Sequence, residues 1–364
     1  MQKIKNIEFL RIFFIVTIVL YHMRVNLKKL GSDLFTNMYH SMDGGRNGVE
    51  AFFIIAGFFL ILTFKDSPVW EFIKKKYFRL MPAAMFSIIV CGILSLFHVN
   101  HFKLIPNIVM GLLFSHFGIY WCKGSNIALW YASALFFGFI IFYLIIKFLK
   151  EKYQIPLFII LGIGSYILLS WLNNGKISGH SIMYLGFIPA CTVRAFGGIS
   201  IGCLIAKFYQ KYKEQIVNWN VNIIQKIIIS LIEISSFGFI IWWSYFKLIN
   251  INNSLFVIVF SVLFICFICN KGCLSRITAK NIWTKISIYT YSLFVIHIPI
   301  IRLIAKKILI PNKEIFSQYP VIVIFSVFVI SFIMAVITYY LVEKPFYDLL
   351  SKKFINKNVI INNK

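Results

Sequence analysis

The chain has 364 residues, of which 60% are hydrophobic and 13% carry charge, and its formal net charge is +25. A soluble domain has about 45–50% apolar and about 25% charged residues, so this composition excludes a soluble enzyme and a disordered chain. Apolar runs of about 20 residues recur along the whole length, each long enough to cross a hydrocarbon core of about 30 Å as a helix. The sequence therefore predicts an all-α polytopic membrane protein, since the strands of a membrane barrel would alternate apolar and polar residues.

Ten transmembrane helices are predicted within a single membrane domain. In chain order they cover residues 8–25, 48–64, 80–98, 128–149, 155–172, 183–206, 225–246, 254–270, 286–305 and 320–343, and a polar basic tail follows over 347–364. The stretch over 104–121 is also apolar, but Pro106, Gly111 and Gly118 interrupt it. We expect a re-entrant or surface-lying segment there, because non-helical backbone at membrane depth needs cover from protein or water.

The basic residues predict the orientation of these helices. The N-terminus, the tail and the loops that begin at residues 65, 147, 207 and 271 together hold 23 Lys and Arg residues, whereas the alternate loops hold 11. Cytoplasmic loops carry the excess of Lys and Arg, so both termini are expected in the cytoplasm. This bias and the anionic lipid headgroups account for the net charge, and no nucleic-acid partner is expected.

The location follows from the same features. A multi-pass protein of the cell (inner or cytoplasmic) membrane is expected, with the lipid bilayer as its surroundings. The richness in Lys, Ile, Asn and Phe points to a bacterial source.

Three ionisable side chains lie on the first predicted helix, at Glu8, Arg11 and His22. A charge at the bilayer centre costs roughly 2.5–3.5 kcal/mol, so such residues are candidates for function. Arg11 and His22 are eleven positions apart, which places them within about 20° of one helix face and about 16 Å apart along the axis. Glu8 lies one turn before Arg11 and can pair with it.

This stripe predicts an axis for a long anionic ligand, with a guanidinium toward the cytoplasm and a titratable imidazole toward the outside. The alternative is that Arg11 extends to the inner interface and that His22 sits at the outer boundary. Spacing alone does not choose between the two interpretations.

No metal is expected from the cysteines and histidines. Cys266 and Cys269 are three positions apart, but no His or carboxylate accompanies them. His98 and His101 lack a third ligand in the sequence around them. A zinc site would need three or four such groups.

Six short segments carry polar residues inside apolar surroundings. They read IEFLRIFFIVTIVLYH from residue 7, NGVEAFFIIAGFF from residue 47, KKKYFRLMP from residue 74, ALWYASALFF from residue 128, YSLFVIHIPI from residue 291 and YLVEKPF from residue 340. In this order, with Arg194 before a glycine-rich stretch, they resemble the integral-membrane acyltransferase type 3 family. Two positions depart from its pattern. Glu50 replaces the usual Asp, and Ala56 stands where Ser is common, which excludes a serine role there.

The resemblance implies transfer of an acyl group, typically acetyl, onto a sugar hydroxyl. The donor substrate is expected to be acetyl-CoA or another acyl-CoA from the cytoplasm, and the acceptor a surface polysaccharide or a lipid-linked saccharide. Since a coenzyme A thioester ends in phosphates, cations are expected near the cytoplasm. These cations are Arg11, Lys75, Lys76 and Arg79. Arg194 is expected either to stabilise an anionic transition state or to line the path of the coenzyme.

The resemblance also implies roles nearer the acceptor. His22 is expected to receive the acyl group or to deprotonate the acceptor hydroxyl. Glu50 is expected to orient His22 or to bind acceptor hydroxyls. Trp130 and Tyr131 offer a flat surface for a sugar ring. His297 is a further candidate for substrate binding.

Two other functions stay open at this point. A transporter or flippase of lipid-linked saccharides also needs many spans with scattered buried charge. Its usual internal repeat is not visible in this sequence, which counts against it. A glycan polymerase would need larger extracytoplasmic loops than those predicted here.

Overall fold

Helices dominate the computed structural model, which describes residues 4–27, 42–96, 104–115, 126–174, 177, 183–184, 188–246 and 253–354. Within these residues, nine helices are long and apolar enough to cross a membrane, and a further apolar helix, Ser254–Cys269, is shorter. The predicted fold class, an all-α polytopic membrane protein, is confirmed. A helix satisfies its own backbone hydrogen bonds, which lipid cannot do, so apolar runs of this length fold as helices.

The helices are numbered in chain order. They are α1 Lys5–Leu27, α2 Gly48–Leu62, α3 Val69–Leu96, α4 Leu104–Leu112, α5 Leu129–Phe148, α6 Glu151–Leu172, α7 Ala190–Asn218, α8 Ile223–Phe246, α9 Ser254–Cys269, α10 Cys273–Ile277, α11 Asn281–Ile286, α12 Thr290–Ile304, α13 Lys313–Phe316, α14 Pro320–Thr338 and α15 Lys344–Phe354. A 3₁₀-helix, Met42–Asn47, leads into α2, and another, Ser287–Tyr289, leads into α12. Two π-helical turns, Ala305–Leu309 and Tyr339–Glu343, extend α12 and α14.

Two helices have bounds that differ from the predicted spans. Helix α3 begins at Val69, well before the predicted residue 80, so the basic residues 74–79 belong to the helix that enters the membrane. Helix α7 begins later than predicted, because Met183–Tyr184 and Ile188–Pro189 pair as a short antiparallel hairpin, β1 and β2. It then continues to Asn218 through a polar stretch rich in helix-forming Lys, Glu and Gln.

The segment predicted to be re-entrant or surface-lying contains a short helix. Helix α4 has 9 residues, which at 1.5 Å per residue is about 14 Å and too short to cross a 30 Å core. Residues 116–121 of the predicted segment lie outside the described residues, as do 97–98 of the third predicted span and 355–364 of the tail.

Glycines allow α2 and α7 to pack closely. A methyl group at Gly57 would overlap the carbonyl oxygen of Ile199, and one at Gly202 would overlap the carbonyl oxygen of Ile54. Small residues let helix backbones approach in a membrane, where packing and not the hydrophobic effect drives helix association. This contact brings the first turns of α2 and α7 together and so places Glu50 beside Arg194.

Helix α1 lies inside the bundle. It packs against α12, α2 and the 3₁₀-helix Met42–Asn47, and the side chains Ile15 and Ile18, which lie between Arg11 and His22 on the same helix face, are buried. We call the end of the bundle that holds the start of α1 the inner end, since it is predicted to be cytoplasmic, and the opposite end the outer end. The stripe that carries Arg11 and His22 therefore runs through protein from the inner toward the outer end.

Candidate active site

A basic cavity of about 420 Å³ opens at the inner end of the bundle. Its cations are Lys65, Lys75, Lys76 and Arg79, and Glu71 is an acid in the same lining. Lys75 and Arg79 are four residues apart on α3 and therefore point to one side of the helix. The excess of positive charge gives this inner cavity the chemistry of a site for a polyanion.

Aromatic side chains form part of the wall of the inner cavity. The rings of Phe72 and Tyr143 are stacked, with centroids 3.9 Å apart and an interplanar angle of 11°. The hydroxyl of Tyr143 donates to the carbonyl oxygen of Ser67 over 2.7 Å, which fixes the loop between α2 and α3. Tyr347 of α15 lines the cavity from the other side. The wall is therefore held by packed rings from three helices and by one fixed loop.

A second cavity, of about 220 Å³, adjoins the first and reaches into the bundle. Lys76 and Arg79 line both cavities. The deeper lining includes Arg11 of α1, Tyr131 of α5 and Phe294 of α12. We call it the deep cavity. Together the two cavities form a cationic path from the inner surface to the interior.

Arg11 lines the deep cavity but not the inner cavity, whereas Lys76 and Arg79 line both. Its Nη1 lies 3.0 Å from Oε2 of Glu8, in the pair expected from their spacing. The Glu8 carboxylate is buried, whereas the Arg11 side chain is 31% exposed. The Glu8 carboxylate thus partly neutralises the charge of Arg11, which also lines the deep cavity.

Two histidines from distant parts of the sequence meet beyond the deep cavity. The ring centroids of His22 on α1 and His297 on α12 are 5.1 Å apart. Phe294 connects them to the cavity, since its ring lies 4.8 Å from that of Tyr131 and 6.0 Å from that of His297. The imidazole pair is therefore separated from the deep cavity by the ring of Phe294.

The tautomer of His297 follows from its hydrogen bond. His297 is fully buried, and its Nδ1 lies 3.0 Å from the carbonyl oxygen of Leu293. A carbonyl oxygen can only accept, so Nδ1 carries the hydrogen and Nε2 is left as an acceptor. That Nε2 is buried and makes no hydrogen bond to any described residue. His297 thus has a buried acceptor atom on a ring whose centroid lies 5.1 Å from that of His22.

Glu50 has different partners from the one expected. Its Oε1 accepts from Nε of Arg194, and its Oε2 accepts from the hydroxyl of Tyr166 over 2.8 Å. Glu50 and Arg194 are both buried, at 0% and 3% exposure of their side chains. In the structure Glu50 thus joins a buried network of α2, α6 and α7, and its expected role in orienting His22 or binding acceptor hydroxyls stays a prediction.

The aromatic pair expected to face a sugar is divided. The guanidinium carbon of Arg194 lies 5.1 Å from the ring centroid of Trp130, so Trp130 belongs to the Glu50 network. Tyr131 is buried in the wall of the deep cavity beside Arg11. Arg194 lines neither of the two cavities within the described part of the chain.

A further buried carboxylate, that of Glu343, was not assigned a site role from the sequence. Oε2 of Glu343 accepts from the hydroxyl of Ser292 over 2.6 Å, and its Oε1 lies 4.0 Å from Nη2 of Arg79. Tyr291 donates to the carbonyl oxygen of Leu80 over 2.7 Å and also lines the deep cavity. Both hydroxyls precede His297 in the segment YSLFVIHIPI, so their place in that segment was the available signal.

The fold and this geometry define a polytopic membrane protein with two cationic cavities and, next to Phe294 of the deep cavity, an imidazole pair. A family model described as an acyltransferase domain matches residues 4–340 of the chain. No curated protein and no solved structure matches the chain. The chain belongs to the acyltransferase type 3 family, and it is a multi-pass membrane O-acyltransferase.

Proposed function

We propose that the protein transfers an acetyl group from acetyl-CoA to a hydroxyl of a surface polysaccharide or a lipid-linked saccharide, in the cell membrane of a bacterium. The observation that carries the proposal is the pair of cationic cavities that share Lys76 and Arg79, the deeper of which is lined by Phe294, a ring neighbour of His297. Family membership supports acyl transfer over the transport and polymerase alternatives.

The inner cavity suits the phosphates of the donor. Lys65, Lys75 and Arg79 are exposed there. The flexible lysine side chains and the several N–H donors of the arginine guanidinium can contact several phosphate oxygens at once. The smaller deep cavity has several aromatic side chains in its wall, which suit the uncharged arm that joins the phosphates to the thioester. Under this proposal Arg11 contacts the donor and Arg194 holds the framework.

The imidazole pair suits the transfer step. His22 removes the proton from the acceptor hydroxyl, and the hydroxyl oxygen then attacks the thioester carbonyl carbon. A carbon–oxygen bond forms, the carbon–sulfur bond breaks, and the sulfur leaves as the thiolate, which takes up the proton from His22. The ring of His297, held at Nδ1 by the carbonyl oxygen of Leu293, packs beside the ring of His22 and limits its orientations.

Radiolabelled acetyl-CoA supplied to membranes that contain the protein tests this proposal. Label is expected in the saccharide fraction with the native chain, and His22→Ala should lower its rate of appearance by about 100-fold or more, since general bases contribute 10²–10⁴-fold. Arg11→Ala should also lower the rate. Lys213→Ala is the matched control, because Lys213 is an exposed cation on the polar end of α7.

Three outcomes would count against the proposal. Equal labelling with all variants would remove His22 from the chemistry. No labelling with the native chain would remove acetyl-CoA as the donor. Label that stays on the protein would replace direct transfer with an acyl-enzyme route.

A further inference from the structure

An apolar groove of about 430 Å³ lies between α12 and α14 near the outer end, away from the site described above. Its walls include Ile308, Leu309, Phe316, Ile322 and Ile330. Ile308 and Ile322 are 48% and 62% exposed, so the groove is open to the surroundings of the bundle. In a membrane those surroundings are lipid chains.

The backbone explains why a groove forms there. Helix α12 ends in the π-helical turn Ala305–Leu309, and the chain returns through α13 to the start of α14 at Pro320. An extra residue in a π-turn widens the helix and displaces the chain that follows, and such turns occur often at functional sites. Helices α12 and α14 pack against each other elsewhere, so the π-turn separates their outer ends.

Three lysines are close neighbours in sequence of residues that line the groove. Lys306 and Lys307 lie in the π-turn Ala305–Leu309, and Ile308 and Leu309 of the same turn line the groove. Lys313 begins α13, of which Ile315 and Phe316 also line the groove. All three lysines are exposed. Glu314 is the single acid in the sequence between residues 304 and 330, so the positive charge is in excess. An apolar groove whose lining residues have exposed lysines as close neighbours in sequence matches a molecule with a hydrocarbon chain and an anionic head.

We propose that this groove is a binding site for one anionic phospholipid, with an acyl chain between α12 and α14 and its phosphate at Lys306, Lys307 and Lys313. The nearly pure hydrocarbon lining would leave a sugar or a water molecule without hydrogen-bond partners. A second copy of this chain is disfavoured, because it would bring the same lysines against these. The inference does not depend on the acetyl transfer proposed above.

The site has a consequence for α12. This helix carries Tyr291 and Phe294 of the deep cavity, and His297 beside His22. A lipid chain in the groove fills space between the end of α12 and α14, which restrains the helix. The bound lipid therefore stabilises the element on which His297 is placed.

Native mass spectrometry of the purified full chain, mixed with phosphatidylglycerol or phosphatidylcholine of identical chains, tests the proposal. One phosphatidylglycerol per chain is expected to be retained about tenfold more than phosphatidylcholine. Lys307→Gln and Lys313→Gln should each lower retention about fivefold, from the usual attraction of one lysine to an anionic lipid. Ser326→Trp, which fills the groove from an exposed lining position, should abolish retention.

The matched control is Phe325→Trp, since Phe325 is 68% exposed on the same helix and lies outside the groove lining. It should retain the phospholipid like the native chain. Equal retention of the two lipids, or no effect of the lysine variants, would overturn the anionic site. Retention unchanged in Ser326→Trp would overturn its location. Stronger retention of a polyprenyl phosphate than of phosphatidylglycerol would overturn the choice of a phospholipid.

Discussion

The inner cavity and the Glu50 network both contain arginine, and the contrast between them shows how environment decides the role of a charge. Arg79 in the inner cavity is 56% exposed and lies among other cations. Arg194 is 3% exposed, and Glu50 neutralises it. An exposed excess of charge is available to an incoming anion, whereas a buried ion pair already has its partner. This contrast supports the proposal that the inner cavity binds the donor and that Arg194 supports the fold.

The largest loss of stability is expected when one partner of the buried Glu50–Arg194 ion pair is removed. Arg194→Ala leaves the Glu50 carboxylate buried without its counter-charge, and such changes lower the free energy of unfolding by about 3–5 kcal/mol. Thermal unfolding of the purified protein measures this loss of stability. The double variant Glu50→Gln with Arg194→Met removes both charges and should recover much of the loss. An Arg194→Ala variant as stable as the native chain would show that the pair contributes nothing to the fold.

A smaller loss of stability is expected where α2 meets α7. Gly57→Ala adds a methyl group against the backbone of Ile199, and overpacking of this kind costs about 1–3 kcal/mol. The same unfolding measurement applies. Gly164→Ala on α6 is the control, because nothing lies within 4 Å of the added methyl group. Equal stability of the two variants would contradict the close contact that places Glu50 beside Arg194.

The smallest effect on stability is expected from a substitution in the inner cavity. Such a substitution should selectively weaken binding of the acyl-CoA donor. Lys75→Gln should leave the unfolding temperature almost unchanged, because Lys75 is an exposed side chain in the lining of the inner cavity. It should raise KM for the acyl-CoA donor roughly tenfold, because a hydrogen bond between charged groups is worth about 1.5–3 kcal/mol. Steady-state kinetics at several donor concentrations gives the value, with Lys213→Gln as the control. An unchanged KM would mean that the donor does not contact this cavity.

Much of the fold followed from local composition. The long apolar runs predicted membrane helices because a helix is the one way for such a run to satisfy its backbone in lipid. The bounds were less accurate where polar helix formers continue a helix, as after residue 206 in α7. The early start of α3 has a similar cause, since Glu71 and the lysines that follow favour helix outside the apolar run.

The candidate site was predictable only along single helices. The spacing of Glu8 and Arg11 indicated their pairing, and the structure contains it. The contact of His22 with His297 joins α1 to α12, far apart in sequence. Periodicity within a helix carries no information about which distant helix packs beside it.

The sequence by itself determined the class of protein and the elements that carry charge, because hydrophobic length and helical spacing are local properties. Tertiary structure decided which charges face a cavity and which are neutralised. Arg79 and Arg194 differ in their neighbours, and these neighbours come from helices whose order of packing depends on close contacts such as Gly57 against Ile199. The role of each cation is therefore a property of the assembled bundle.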